Sequence, residues 1–74
     1  AVYTREVVNA ALKHLAQVVI LLHNHPSGEL KPSRADIDVT RDIEKALAVM
    51  EIALRDHLII ADTTCVSFKS LGHL

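Results

Sequence analysis

"VVILLHNHPSGELKPSRAD", Val18 to Asp36, is the stretch that decides the fold. It opens on a continuous apolar run, Val18 to Leu22, β-branched at its start. That is how a strand covered on both faces reads. Pro26 stops the strand, Ser27 and Gly28 make a turn, and Lys31-Pro32 continues an exposed loop. Ser33 then starts a helix. Ser33 and Asp36 stand at capping-box spacing, with Asp in place of the usual Glu or Gln.

Upstream, Thr4 caps a helix and Glu6 suits its first turn. Val7, Val8, Ala11, Leu12 and Leu15 recur at helical spacing, which predicts a helix over Arg5 to Leu15. Downstream, Ile37, Ile43, Ala46, Leu47, Met50 and Leu54 give the second helix an apolar stripe, and its end is expected near Met50 to Ile52. "HLIIA" and "CVSF", joined by "DTT", read as a hairpin. The predicted order is helix, strand, helix, strand, strand: an α/β or α+β layer with helices packed on a sheet.

Composition narrows the function classes. A chain of 74 residues holds one domain at most; chains near this size bury only ~60% of their unfolded surface. Half the residues are hydrophobic and the mean hydropathy is +0.26. Such richness predicts a core shared with another segment, a partner or a second subunit, so a homo-oligomer is an open expectation. No apolar run approaches the ~18 residues of a transmembrane helix. "AVYTREVV" has no basic stretch followed by an apolar one, so no signal peptide is read. The single cysteine, Cys65, cannot staple the fold internally, and the expected location is cytoplasmic. Net charge is −1 and the aromatics are Tyr3 and Phe68. A nucleic-acid binder usually shows a basic stripe with stacking aromatics, so direct nucleic-acid binding is disfavoured.

Side chains alternate along a strand, so His23 and His25 point the same way if the extended backbone persists through Asn24. Asp36 lies in the first turn of the next helix, and the turn-rich loop between can bring its carboxylate back to them. Two histidines, one carboxylate and a water make the open tetrahedral site of a catalytic zinc, which makes a hydroxide nucleophile available near pH ~7. Ser33, one turn before Asp36, is placed to hydrogen-bond a developing oxyanion.

Simpler readings compete. A lone H-x-H is a weak signal. Capping alone explains Ser33 and Asp36, and turn chemistry explains Asn24 and Gly28. The joint pattern after a buried strand is more specific. The chain has no H-E-x-x-H, no C-x-x-C and no deaminase-type H-x-E with paired cysteines. The literal letters HNH are coincidence, because the nuclease motif is dispersed. An iron site of two histidines and a carboxylate ranks below zinc, for want of a jelly-roll-like succession of strands. His14 reads as surface, His57 as structural, Cys65 as a core strand residue, and His73 as uninformative.

At these residues the sequence resembles the RadC family, a bacterial branch of the JAB/MPN (JAMM) metallohydrolase superfamily. The motif H-x-H, seven residues, S-x-x-D is met by His23, His25, Ser33 and Asp36, and "REVV", "HNHPSG", "PSRADI", "DHLII" and "VSF" fall in family order. The resemblance implies an αβα sandwich related to cytidine deaminases. It implies zinc on His23, His25 and Asp36, with Ser33 assisting the tetrahedral intermediate. It also implies a metallopeptidase or hydrolase acting on amide or isopeptide bonds of peptides or protein conjugates. RadC proteins carry the traditional label of DNA repair, which names no substrate.

The family's general acid/base is a glutamate on a strand upstream of "REVV", and neither Glu6 nor Glu29 matches it. Residues 1–74 are therefore expected to be a partial domain lacking the N-terminal strands, inactive alone. "GELKPS" and "VMEIALRDHL" depart from the family pattern, at the substrate loop and the second helix end respectively. Two alternatives are a non-catalytic interaction module and a DNA-repair-associated protein without peptidase activity.

Overall fold

A computed structural model describes residues 4–74; Tyr3 lies outside them. The order is α1 (Thr4–Lys13), β1 (Val18–Asn24), α2 (Arg34–Val49), β2 (Ala53–Ala61) and β3 (Thr64–Ser67). The three strands form one sheet in the order β1-β2-β3. β1 and β2 run parallel and are bridged by α2, while β3 returns antiparallel. Parallel neighbours need a crossover of this kind, and the antiparallel pair needs only a tight loop. Asp62 takes the left-handed conformation there (φ 52°), which aspartate tolerates better than most residues. The chain is a small α/β fold with a mixed sheet.

Both helices feed one apolar cluster. Ala11 of α1, Ile43 and Leu47 of α2, and Ile52 and Leu54 pack together, with Val19 and Leu21 of β1 against them. Further along the sheet, Ile59 and Phe68 are fully buried. Each such side chain contributes roughly 2 kcal/mol by leaving water. The opposite face of β1 is open: Val18, Ile20 and Leu22 are exposed. The continuous apolar run predicted cover on both faces, but among the described residues only the face carrying Val19, Leu21 and His23 is covered.

Several details differ from the sequence reading. α2 ends at Val49, just short of the expected Met50 to Ile52, and Leu54, read into its apolar stripe, belongs to β2. α1 stops at Lys13, and Leu15 lies beyond it at φ 54°, 87% exposed. The Ala16 N–H reaches back to the Ala11 carbonyl at 2.9 Å, closing the helix in the manner usually left to glycine. β2 begins at Ala53, four residues before "HLIIA". Its register steps from Val19–Leu54 to Ile20–Asp56, leaving Arg55 as a bulge, and this inserted residue breaks the alternation that a strand reading needs. Cys65 pairs with Ile60 on the outer face and is exposed, so it is not a core residue.

Candidate metal centre

His23 is the penultimate residue of β1, and the sheet does not end there. The His25 N–H donates to the Ile60 carbonyl at 3.1 Å, so the backbone stays extended across Asn24 and both imidazoles fall on one side. Their ring centroids are 4.4 Å apart, edge to face. The chain then turns sharply. The Gly28 N–H donates to the His25 carbonyl at 3.0 Å, and Gly28 sits at φ 83°, where a side chain would be strained. This turn lays the Glu29 carbonyl over His25, whose Nδ1–H donates to it at 2.6 Å. In the neutral ring this leaves Nε2 of His25 with its lone pair. A ring N–H held by a backbone carbonyl is the usual second contact of a metal-binding histidine.

Asp36 arrives from the other side, and its aim comes from the helix cap. The Asp36 N–H donates to Ser33 Oγ at 3.0 Å, and the Ser33 N–H donates to Asp36 Oδ2 at 2.9 Å. This reciprocal capping box holds the carboxylate with both oxygens toward the histidines. Oδ1 lies 3.8 Å from His23 Nδ1, and Oδ2 lies 3.5 Å from His25 Nε2. Capping and convergence therefore coexist, because one carboxylate has lone pairs for both. One nitrogen or oxygen from each of His23, His25 and Asp36 lies within 4.8 Å of the others. Tetrahedral bonds near 2.0–2.2 Å set donors about 3.3–3.6 Å apart, and the Asp36–His25 and Asp36–His23 spacings of 3.5 and 3.8 Å are close to that.

Burial alone raises the Asp36 carboxyl. The Ser33 backbone and hydroxyl bonds and the charges of His23 and His25 outweigh it, and the net position is below the ordinary carboxylate value. The Ser33 hydroxyl accepts from the Asp36 N–H and also stands beside the Asp36 carboxylate, whose charge it helps to hold. Beside the trio a cavity of about 390 Å³ is walled by Val7, Leu21 and Val39, with His23, Asp36 and His57 at its polar end.

Sequence reasoning missed three contributors. The Glu29 carbonyl is backbone and leaves no mark in the side-chain pattern. Thr40 is fully buried and its hydroxyl donates to the Asp36 carbonyl at 2.6 Å. His57, read as structural, is buried and bonds Thr40 Oγ1 through Nδ1 at 2.7 Å. Its ring lies between His23 and Phe68, at 5.7 and 4.3 Å. Burial, reinforced by His23 and opposed by Asp36 and Asp56, pushes His57 below the usual imidazole value. His14 is exposed, and His73 touches only the Phe68 ring among the aromatic contacts described.

A parallel strand pair bridged by a helix, with two histidines at a strand end facing a capped aspartate, defines an α/β domain carrying a candidate metal site. Residues 1–73 match the family model described as the RadC-like JAB domain, and the chain belongs to that family. It is 57% identical over 74 residues to a UPF0758 protein of Bordetella petrii. It is 53% identical over 74 residues to one of Aeromonas hydrophila, and 50% identical over 74 residues to one of Thiobacillus denitrificans. All of this chain is covered in each case, against 33% of each relative. The chain thus spans about a third of the length of the curated relatives it matches. No helix among the described residues is long and apolar enough to cross a membrane.

Proposed function

We propose that this domain is part of a zinc-dependent hydrolase of the JAB type, acting on amide or isopeptide bonds of a peptide or protein conjugate. The observation that carries the reading is the convergence of His23, His25 and Asp36, with His25 oriented by the Glu29 carbonyl and Asp36 by the Ser33 cap. The donor set of two imidazoles and one carboxylate suits zinc with an open fourth position. A zinc ion bound there would supply a Lewis acid and a bound water whose pKa falls toward ~7.

The chain's own residues have distinct tasks in this reading. His23, His25 and Asp36 hold the ion. Ser33, beside the ligands, is assigned to hydrogen-bond the oxygen that gains charge when a water adds to the scissile carbonyl. The apolar wall of Val7, Leu21 and Val39 takes a substrate side chain. Breaking the C–N bond also needs a group to carry a proton to the leaving amine. The Glu29 carboxylate is engaged by the Lys31 N–H at 2.9 Å, and we assign the task to no described residue.

The test is zinc stoichiometry and affinity of the chain, measured beside His23→Ala. One tightly held ion lost in that variant supports the reading; no uptake sinks it. Hydrolysis of an isopeptide-linked conjugate by the full-length protein then tests the activity. The reading includes a cytoplasmic setting and, from the charge balance, no direct contact with nucleic acid. Salt-sensitive DNA binding would overturn the latter.

The open face of Val18, Ile20 and Leu22 favours a second reading, an interaction module that associates through this surface, with itself or with another protein. Solution mass decides it: a concentration-independent monomer counts against self-association.

A further inference from the structure

His57 is remote in sequence from the histidine pair, yet its ring lies against one candidate ligand, His23, and it reaches a second, Asp36, through Thr40. The Thr40 hydroxyl donates to the Asp36 carbonyl. Its proton is spent there, so Thr40 Oγ1 must accept from His57 Nδ1–H. The chain His57 Nδ1–H to Thr40 Oγ1–H to Asp36 O is short at both links, 2.7 and 2.6 Å. It ties the first turn of α2, which carries the Asp36 carboxylate, to the middle of β2. The face of the His57 ring lies near parallel to His23 (25°), and its other neighbour is Phe68. The ring cannot tilt without disturbing one of them. Thr40 is fully buried and His57 is 5% exposed, so water does not easily replace these bonds.

We infer that His57 is a positioning residue for the metal site, acting on Asp36 through Thr40 and on His23 through ring contact. The inference rests on the zinc reading and adds a set of residues outside the ligands. A helix cap fixes Asp36 only relative to its own helix. The site also needs that helix fixed relative to the strand that carries His23 and His25. Thr40 and His57 make the polar link from α2 to β2, the strand paired with β1. Outer contacts of this kind are worth 10- to 100-fold in metal affinity.

The test uses the full-length protein with two pairs of variants: Thr40→Val against Thr40→Ser, and His57→Phe against His57→Asn. Valine and phenylalanine remove the link and keep the bulk; serine and asparagine restore a hydroxyl and a donor near Nδ1. Zinc affinity is read by competition titration and ligand geometry by the visible spectrum of the cobalt-loaded chain, with stability measured alongside. Thr40→Val and His57→Phe are expected to lose about 10- to 100-fold in zinc affinity and to shift the cobalt bands. Serine and asparagine are expected to recover most of the loss. A purely structural role lowers stability and leaves the spectrum of the folded chain unmoved. Should His57→Phe not fold, the Thr40 pair carries the test. A zinc-binding wild type whose Thr40→Val and folded His57→Phe forms match it in affinity and spectrum overturns the inference and leaves the zinc reading intact. A wild type that takes up no zinc overturns the zinc reading itself. In the metal-free chain, nitrogen-coupled NMR is expected to find the His57 proton on Nδ1; a proton on Nε2 overturns the link.

Discussion

Asp36 and Asp56 are the same residue type under similar pressure, and the fold uses them oppositely. Both lie in partly buried positions, where burial raises a carboxyl, and both are held below the ordinary value by hydrogen bonds. Asp56 flanks the bulge of β2, and its lone pairs are filled from within the chain. Oδ1 accepts from the His57 N–H at 2.7 Å and the Lys69 N–H at 3.1 Å, and Oδ2 accepts from Ser67 Oγ at 2.6 Å. Asp36 accepts one close backbone bond, from Ser33, and turns its remaining lone pairs to two imidazoles. A carboxylate saturated by its own chain is a staple between β2 and the C-terminal turn. A carboxylate aimed by one bond and left with spare acceptors is equipped to bind something else.

Exchanging the two residues for alanine breaks the comparison most directly. Asp36→Ala is expected to lower zinc affinity by more than ~100-fold, beyond the upper end of what an outer contact is worth. Asp56→Ala is expected to leave it nearly unchanged; both are read by competition titration. Equal losses in the two variants would erase the distinction. In urea unfolding the ranking reverses. Asp56→Ala is expected to cost about 2 kcal/mol, since it strands donors that a charged acceptor now satisfies.

Acid sharpens the contrast. A carboxyl held below its ordinary value contributes stability that is fully present above the unfolded value of ~3.9, and that stability is lost as pH falls through the lowered folded value. The stability gap between the wild type and Asp56→Ala is therefore expected to be constant at neutral pH and to close in acid. A gap that persists unchanged at the acid end would show that packing, and not charge, sets it. The smallest effect is expected from Ser33→Ala. The cap loses its hydroxyl, at a cost of about 1 kcal/mol, while the backbone N–H that aims Asp36 remains. Zinc affinity is expected to move little. A loss as large as that of His23→Ala would make Ser33 a ligand and the present roles wrong.

Element order, the α/β class, the shared face of His23 and His25, and the cap joining Ser33 to Asp36 were legible in the residues. These rest on local rules: alternation along a strand, helical spacing of apolar residues, and the three-residue reach of a cap. Each is decided within one or two turns of chain, so the sequence by itself carries it. Tertiary structure alone decided the face on which Cys65 lies, because that follows from the β2–β3 register. It alone placed the bulge at Arg55, which brings His57 back to the inner face opposite Leu21. It alone joined His57 to Thr40, residues 17 apart, and laid a backbone carbonyl on His25. Contacts of this sort depend on how whole elements dock, and local propensity does not encode that.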